Sequence, residues 1–235
     1  MRKVLLLCIY LLITCKSLLS QETDLGLFYG KFYAVYKFKD DGTGFRNLPK
    51  SQDLPFPSIT LNKKFSNKTS VEFNISFLVY PQYTGTRLHS LGFYSEFYSI
   101  NLSVTGNYSV VRSEKFEARI KAGLGLGVLL EQYQGEFTEM FVYPTVDSIS
   151  RGTIKRDYTA FFPTLCTGFD LTYKFARKFK AGLRFNYQKG FTKITEYDIY
   201  YNDGSGSNDQ HAKQWGNGDF YGFQIGLRYM LKKRH

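Results

Sequence analysis

The sequence predicts an all-β fold: a transmembrane up-and-down antiparallel β-barrel of about eight strands. Three observations predict it. Apolar residues alternate with polar or charged ones at a period of two, over stretches longer than most soluble strands. The connections between those stretches alternate between short and long. Aromatic residues are 18% of the chain, with 22 Phe and 19 Tyr, and both residue types favour strands.

The first twenty residues stand apart from that pattern. Arg2 and Lys3 precede an apolar run from Val4 to Ile13, and Ser20 precedes a plausible cleavage before Gln21. Such a run is too short to span a bilayer and reads as a cleaved secretory leader over 1–20. The alternative is lipidation of Cys15 after Leu12-Ile13-Thr14, where Thr14 is a poor neighbour for that chemistry. Without the leader Cys166 is the remaining cysteine, so no internal disulfide and no zinc cluster is expected. No cofactor is expected either. Arg2, Lys3 and Lys16 leave with the leader, so 28 basic residues face 20 acidic ones, a balance of +8. A secreted chain with this charge is expected to meet anionic lipid and no nucleic acid.

The strand pattern is plainest at Lys121-Ala122-Gly123-Leu124-Gly125-Leu126-Gly127-Val128-Leu129-Leu130. A dinucleotide loop would need strand, glycine turn and helix in succession. Here the glycines keep the strand period. Over 117–131 one set is Ala118, Ile120, Ala122, Leu124, Leu126, Val128 and Leu130. The other holds Glu117, Arg119, Lys121, the three glycines, Leu129 and Glu131. A membrane helix would not accept those charges near its centre. A strand accepts them if one face meets lipid and the other a polar interior.

The same alternation recurs at 71–79, 97–110, 161–175, 179–187 and 221–231. It is shorter at 59–65 and less clean at 28–38, around Lys31 and Lys37. Three connections are short, at 65–70, 111–116 and 175–180, and four are long, at 40–58, 81–91, 132–158 and 192–218. Short turns at one end and long loops at the other are the layout of an up-and-down barrel, here with periplasmic turns and extracellular loops. No lipid-exposed strand edge is tolerable in a bilayer, so the sheet must close. Residues 21–235 are expected to be one barrel domain and a monomer, with both termini on the periplasmic side.

The charged faces then turn inward. Lys31, Glu72, Glu117, Arg119, Lys121, Glu131, Asp170, Lys174, Arg184 and Arg228 are expected to form an interior charge network. Buried charges of both signs must pair to be tolerable. Basic residues crowd the short turns, namely Lys63, Lys64, Lys68, Arg112, Lys115, Arg177, Lys178 and Lys180. They either face anionic headgroups or only keep the turns soluble.

In the last strand Gln224, Gly226, Tyr229 and Leu231 follow one another at the spacing of a terminal barrel-assembly signal. These residues resemble the segment by which outer-membrane barrels are handed to their assembly machinery. One departure is the tail after Leu231. With the leader and the alternation, the chain resembles the small outer-membrane β-barrel proteins of the Bacteroidetes type, a porin-like family similar in architecture to the OmpX and OmpA barrels. That resemblance implies an outer-membrane location in a Gram-negative cell and carries over no catalytic residue.

Function divides into several readings. An eight-stranded barrel has room inside for little but its own side chains, which implies a structural or surface-interaction role. The long loops at 132–158 and 192–218 would then meet an extracellular ligand or protein. Asp147-Ser148-Ile149 resembles a short O-glycosylation signal. The alternative is a narrow diffusion channel, if the inward glycines leave a water path. A lipid-modifying enzyme would need a His beside Ser, Asp or Glu at the rim. His89, His211 and His235 sit in no such signature, so no enzyme is expected. A soluble lipocalin-like carrier would require the opposite arrangement, with the apolar face inside.

Overall fold

Period-two alternation carries directly into strand backbone. The computed structural model describes residues 22–40, 45–47, 54–86, 92–130, 135–142, 149–201 and 210–231, and these contain thirteen strands and no helix. They are β1 (Thr23–Asp40), β2 (Phe45–Asn47), β3 (Leu54–Pro55), β4 (Ser58–Lys64), β5 (Thr69–Thr86), β6 (Gly92–Arg112) and β7 (Phe116–Leu129). The rest are β8 (Gly135–Val142), β9 (Ile149–Tyr158), β10 (Phe161–Lys174), β11 (Phe179–Gly190), β12 (Thr195–Tyr201) and β13 (Gln210–Leu231).

Eight of them form the barrel in the order β1, β4, β5, β6, β7, β10, β11, β13, each antiparallel to the next. The sheet closes where β13 returns to β1, from Thr23↔Leu231 up to Ala34↔Phe220 and beyond. Closure satisfies the backbone hydrogen bonds of the spanning region, as a hydrocarbon environment requires. These are the eight strands the sequence predicts, several of them longer than the alternation alone shows.

Beyond one rim the sheet continues. β8 and β9 form a hairpin within 132–158, β9 pairs with β12, and β12 pairs with the first half of β13. The segments at 132–158 and 192–218 are therefore partly strand. β3 prolongs the line of β4 along β1, with Lys31 opposite Pro55.

Outside the barrel lies an apolar band. Leu27, Leu124, Leu183, Ile225 and Leu227 are exposed, Ile225 by 67%. Aromatics flank the band at both ends: Phe65, Tyr108, Phe175 and Phe179 near the short turns, and Tyr98, Phe161, Tyr187 and Phe191 near the long-loop rim. On β1 and β13, Tyr33 and Tyr221 stack at 5.2 Å between ring centres. Apolar surface of this extent needs hydrocarbon around it, and paired aromatic girdles mark the two interfaces. The arrangement is the reverse of a soluble carrier's.

One inward assignment is corrected. Lys31 is exposed, on the outward face of β1 with Leu27, Tyr29 and Val35. Phe28 and Phe32 take the inward positions. The register with β13 decides this, since Lys31 lies opposite the outward Phe223. A long Lys stem lies along apolar surface and carries its amine toward the interface.

Candidate functional site

The barrel interior is built in layers. At mid-height the register brings three inward charges side by side: Arg119 on β7, Asp170 on β10 and Arg184 on β11 are successive cross-strand partners. Arg228 on β13 joins them. Asp170 receives Arg119 Nη2 at 3.2 Å, Arg184 Nε at 3.2 Å, Arg228 Nη2 at 2.7 Å and Lys121 Nζ at 3.6 Å. From β5, across the lumen, Glu72 binds Arg184 and, at 2.9 Å, Arg228. Glu72, Asp170, Arg184 and Arg228 are each 1% exposed. Phe28 covers the cluster, with its ring centre 3.8 Å from the Arg184 guanidinium carbon.

Toward the short turns the interior is also ionic. Lys180 Nζ lies 2.9 Å from Asp24 Oδ2, and Lys64 lies 3.4 Å from Glu22 and 3.8 Å from Glu117. Ser109 donates to Glu117 at 2.5 Å. Lys174 is half-buried and lines, with Glu117 and Lys180, a polar cavity of about 90 Å³ at this mouth. Glu131 lies outside the described residues.

Above the charge cluster sits a layer of amides. Gln224 Nε2 donates to the Phe56 carbonyl at 2.8 Å and to Ser58 Oγ at 2.9 Å, and its Oε1 accepts from Asn186 Nδ2 at 2.9 Å. Gln188 donates to Asn101 Oδ1 at 3.4 Å and to the Gly218 carbonyl at 3.1 Å. A cavity of about 30 Å³ lies here, lined by Glu72, Lys121, Asn101, Cys166 and Gln188 among others. It has space for one or two water molecules.

The top layer is apolar, which the alternation does not reveal. Phe32, Phe56, Phe220, Leu78, Phe97, Leu129, Phe162, Ile194, Tyr197 and Ala212 form one buried cluster. Phe32, Phe56 and Phe220 meet edge to face at 5.3–5.8 Å. Some inward glycines make room for aromatic rings, of this layer and of Phe28 below it. A Cβ on Gly127 would stand 2.0 Å from the Phe162 ring, and one on Gly226 would stand 2.5 Å from Phe28. Gly218, with φ of 78°, turns the backbone of β13 beside Phe162 in a conformation that disfavours other residues. Gly168 does leave room for a lysine, the stem of Lys121.

The residues that resemble an assembly signal have structural places too. Gln224 anchors the amide layer, and Gly226 packs against Phe28. Tyr229 lies 5.3 Å from Phe179, ring to ring, and Leu231 pairs with Thr23 at the closing seam. Outside the barrel, His211 Nε2 lies 3.0 Å from Asp198 Oδ1 in a cross-strand ladder with Lys213 and Glu196. His89, His235, the leader, Asp147 and Ser148 lie outside the described residues.

No protein-family model matches the chain, and no curated protein matches it. Among solved structures it is similar to the outer membrane protein OprG of Pseudomonas aeruginosa, at 11% identity and a TM-score of 0.55, covering 90% of this chain and 96% of that one. It also matches the N-terminal barrel of Pseudomonas aeruginosa OprF at 10% identity and 0.44, covering 90% and 98%. A third match is the attachment invasion locus protein Ail of Yersinia pestis, at 11% and 0.41, covering 90% and 99%. At such identities the OprG likeness establishes the fold, an eight-stranded barrel of the outer-membrane kind.

Proposed function

We propose that this chain is a monomeric outer-membrane barrel of a Gram-negative cell, closed to solutes, that serves as a scaffold for a surface formed by β8, β9, β12 and the first half of β13. The carrying observation is the filled lumen. Glu72 reaches across it to Arg184 and Arg228, and the Phe32–Phe56–Phe220 rings close it again nearer the long-loop rim. In this reading residues 1–20 are a cleaved leader, the short turns and both termini are periplasmic, Gln224, Gly226, Tyr229 and Leu231 of the last strand guide assembly, and the whole mature chain is of the Bacteroidetes type. The partners are outer-membrane lipid, the assembly machinery and an extracellular ligand or protein at the extended strands. The chain has no catalytic role.

Orientation and closure are tested together. Ser205→Cys, between β12 and β13, should react on intact cells with a membrane-impermeant maleimide, and Ser113→Cys in a short turn should not. Purified protein in planar bilayers should give no single-channel steps. Labelling of Ser113→Cys alone would invert the orientation, and regular conductance steps would replace this reading with the narrow channel. Deleting residues 136–157 should leave a barrel whose gel mobility still changes on boiling. A deletion that abolishes that shift would make the extension part of the fold rather than its cargo.

A further inference from the structure

The lipid-facing wall carries two grooves at its short-turn half. In the first, Val71 on β5, Gly106 on β6 and Ala122 on β7 are successive register partners, with Gly106 and Ala122 as its small outward floor. The larger register partners Tyr108 and Ile120 bound it toward the short turns. The groove holds about 440 Å³, and Phe65 and Val71 stand at its end beside the turn at 65–69. Protein packing does not demand this space. A Cβ on Gly106 would meet nothing nearer than 3.9 Å, whereas one on Gly123 would stand 2.0 Å from the Val104 carbonyl. The second groove, of about 500 Å³, is floored by Ala181 between Tyr173 and Leu227 and walled by Phe116, Leu171 and Leu183.

Each groove ends near a basic turn. Lys63 Nζ lies 5.5 Å from the centre of the Phe65 ring, Lys68 is in the same turn, and Arg112 donates to the Asn67 carbonyl. Beside the second groove, Lys178 Nζ lies 5.6 Å from the Tyr229 ring centre and Arg177 precedes it. Across residues 65–70, 111–116 and 175–180, Glu114 is the single acid. An apolar trough in the hydrocarbon zone that leads to cations at the interface matches an acyl chain with a phosphate at its end.

We propose that these grooves are binding sites for anionic phospholipid, with the acyl chain laid over Gly106 and Ala122, or over Ala181, and the phosphate at Lys63, Lys68 and Arg112, or at Arg177 and Lys178. The inference rests on the membrane-barrel reading above and names the lipid class which that barrel selects. Interior charges take no part, because Lys64 and Lys180 already pair with interior acids.

Native mass spectrometry of the detergent-solubilised full chain is the test, with phosphatidylglycerol and phosphatidylcholine of identical acyl chains as probes. Wild type should retain phosphatidylglycerol at least tenfold better than phosphatidylcholine, with up to two molecules per barrel. Gly106→Leu, whose Cβ has open space, extends into the first groove and should lower the retained number by one. Ala122→Leu is a second filling variant with the same expectation. Lys68→Gln with Arg112→Gln should bring phosphatidylglycerol at that groove down to the phosphatidylcholine level. Equal retention of the two lipids, or unchanged retention in both filling variants, overturns the proposal. Each sample is also run on a gel with and without boiling. A chain that is soluble without detergent and shows no mobility shift would overturn the membrane-barrel reading itself, a separate outcome.

Discussion

Two layers of the interior are equally buried and differently made. The mid-barrel cluster is ionic, and its members are strand residues that the register alone brings together. The layer near the long-loop rim is aromatic and aliphatic, and four of its ten described members come from outside the regular barrel alternation: Phe56 before β4, Ile194 before β12, Tyr197 on β12 and Ala212 on the extended part of β13. The ionic layer holds strands in register because each charge requires its partner. The apolar layer ties the extension to the barrel by excluding water from both. One layer specifies the barrel, and the other joins the barrel to what it carries.

The largest expected effect strikes the ionic layer. Asp170→Asn leaves Arg119, Arg184, Arg228 and Lys121 gathered around a single remaining carboxylate, Glu72. Breaking buried pairs from one side costs about 3–5 kcal/mol. The boiling-dependent gel shift should then occur at a clearly lower temperature. An unchanged transition would mean that the cluster is solvated rather than paired, and the contrast between the layers would disappear.

Phe162→Ala probes the other layer. It empties the space that Gly127 and Gly218 leave for the ring. A cost of about 3 kcal/mol is expected, the lower end for such truncations, because glycine backbone can move inward in part. Hydrogen exchange should quicken in β9 and β12 more than in β7 and β10 below the cluster. Uniform quickening would show that the two layers act as one unit.

A smaller effect belongs to the outer ladder of β12 and β13. Burial favours the neutral form of Glu196, but hydrogen bonds from Lys193 and Lys213 outweigh it and hold the carboxyl below its ordinary value. The bond to Glu196, with help from Asp198, holds Lys213 above the ordinary lysine value. A depressed carboxyl stabilises the fold above the ordinary carboxylate pKa, and that contribution is lost as pH falls through the lowered value. A raised lysine stabilises below the ordinary lysine pKa, and its contribution is lost as pH rises through the raised value. Exchange of β12 amides, corrected for intrinsic rate, should therefore be slowest between those limits. Exposed pairs contribute about 0.2–1 kcal/mol, so the change should be modest. A flat profile would remove the ladder as a stabilising element.

The smallest effect is predicted for Lys31→Leu. An outward residue in the apolar band should tolerate leucine within about 0.5 kcal/mol. A large loss in the same gel-shift measurement would return Lys31 to the interior and reverse the assignment of β1.

Legibility followed the chemistry of each face. Arg119, Asp170, Arg184 and Arg228 could be read as inward because charge on an otherwise lipid-facing strand has nowhere else to go. Phe28 and Phe32 cannot, because an aromatic residue suits lipid and interior alike, so the alternation on β1 is ambiguous and only the register with β13 puts Lys31 outside. Nor does the sequence show what the inward glycines are for. The emptiness at Gly127 and Gly226 has meaning only beside Phe162 and Phe28, which come from other strands.

By itself, then, the sequence determined the barrel class, the strand number, the short and long ends and most of the inward charges. Each of these follows from periodicity and charge within one strand. The tertiary structure alone decided which charges pair, where the lumen is closed, that β8, β9, β12 and the start of β13 continue the sheet, and where the outer wall is grooved. Those features depend on cross-strand register and barrel closure, which bring together residues up to about two hundred positions apart, and no local pattern records that distance.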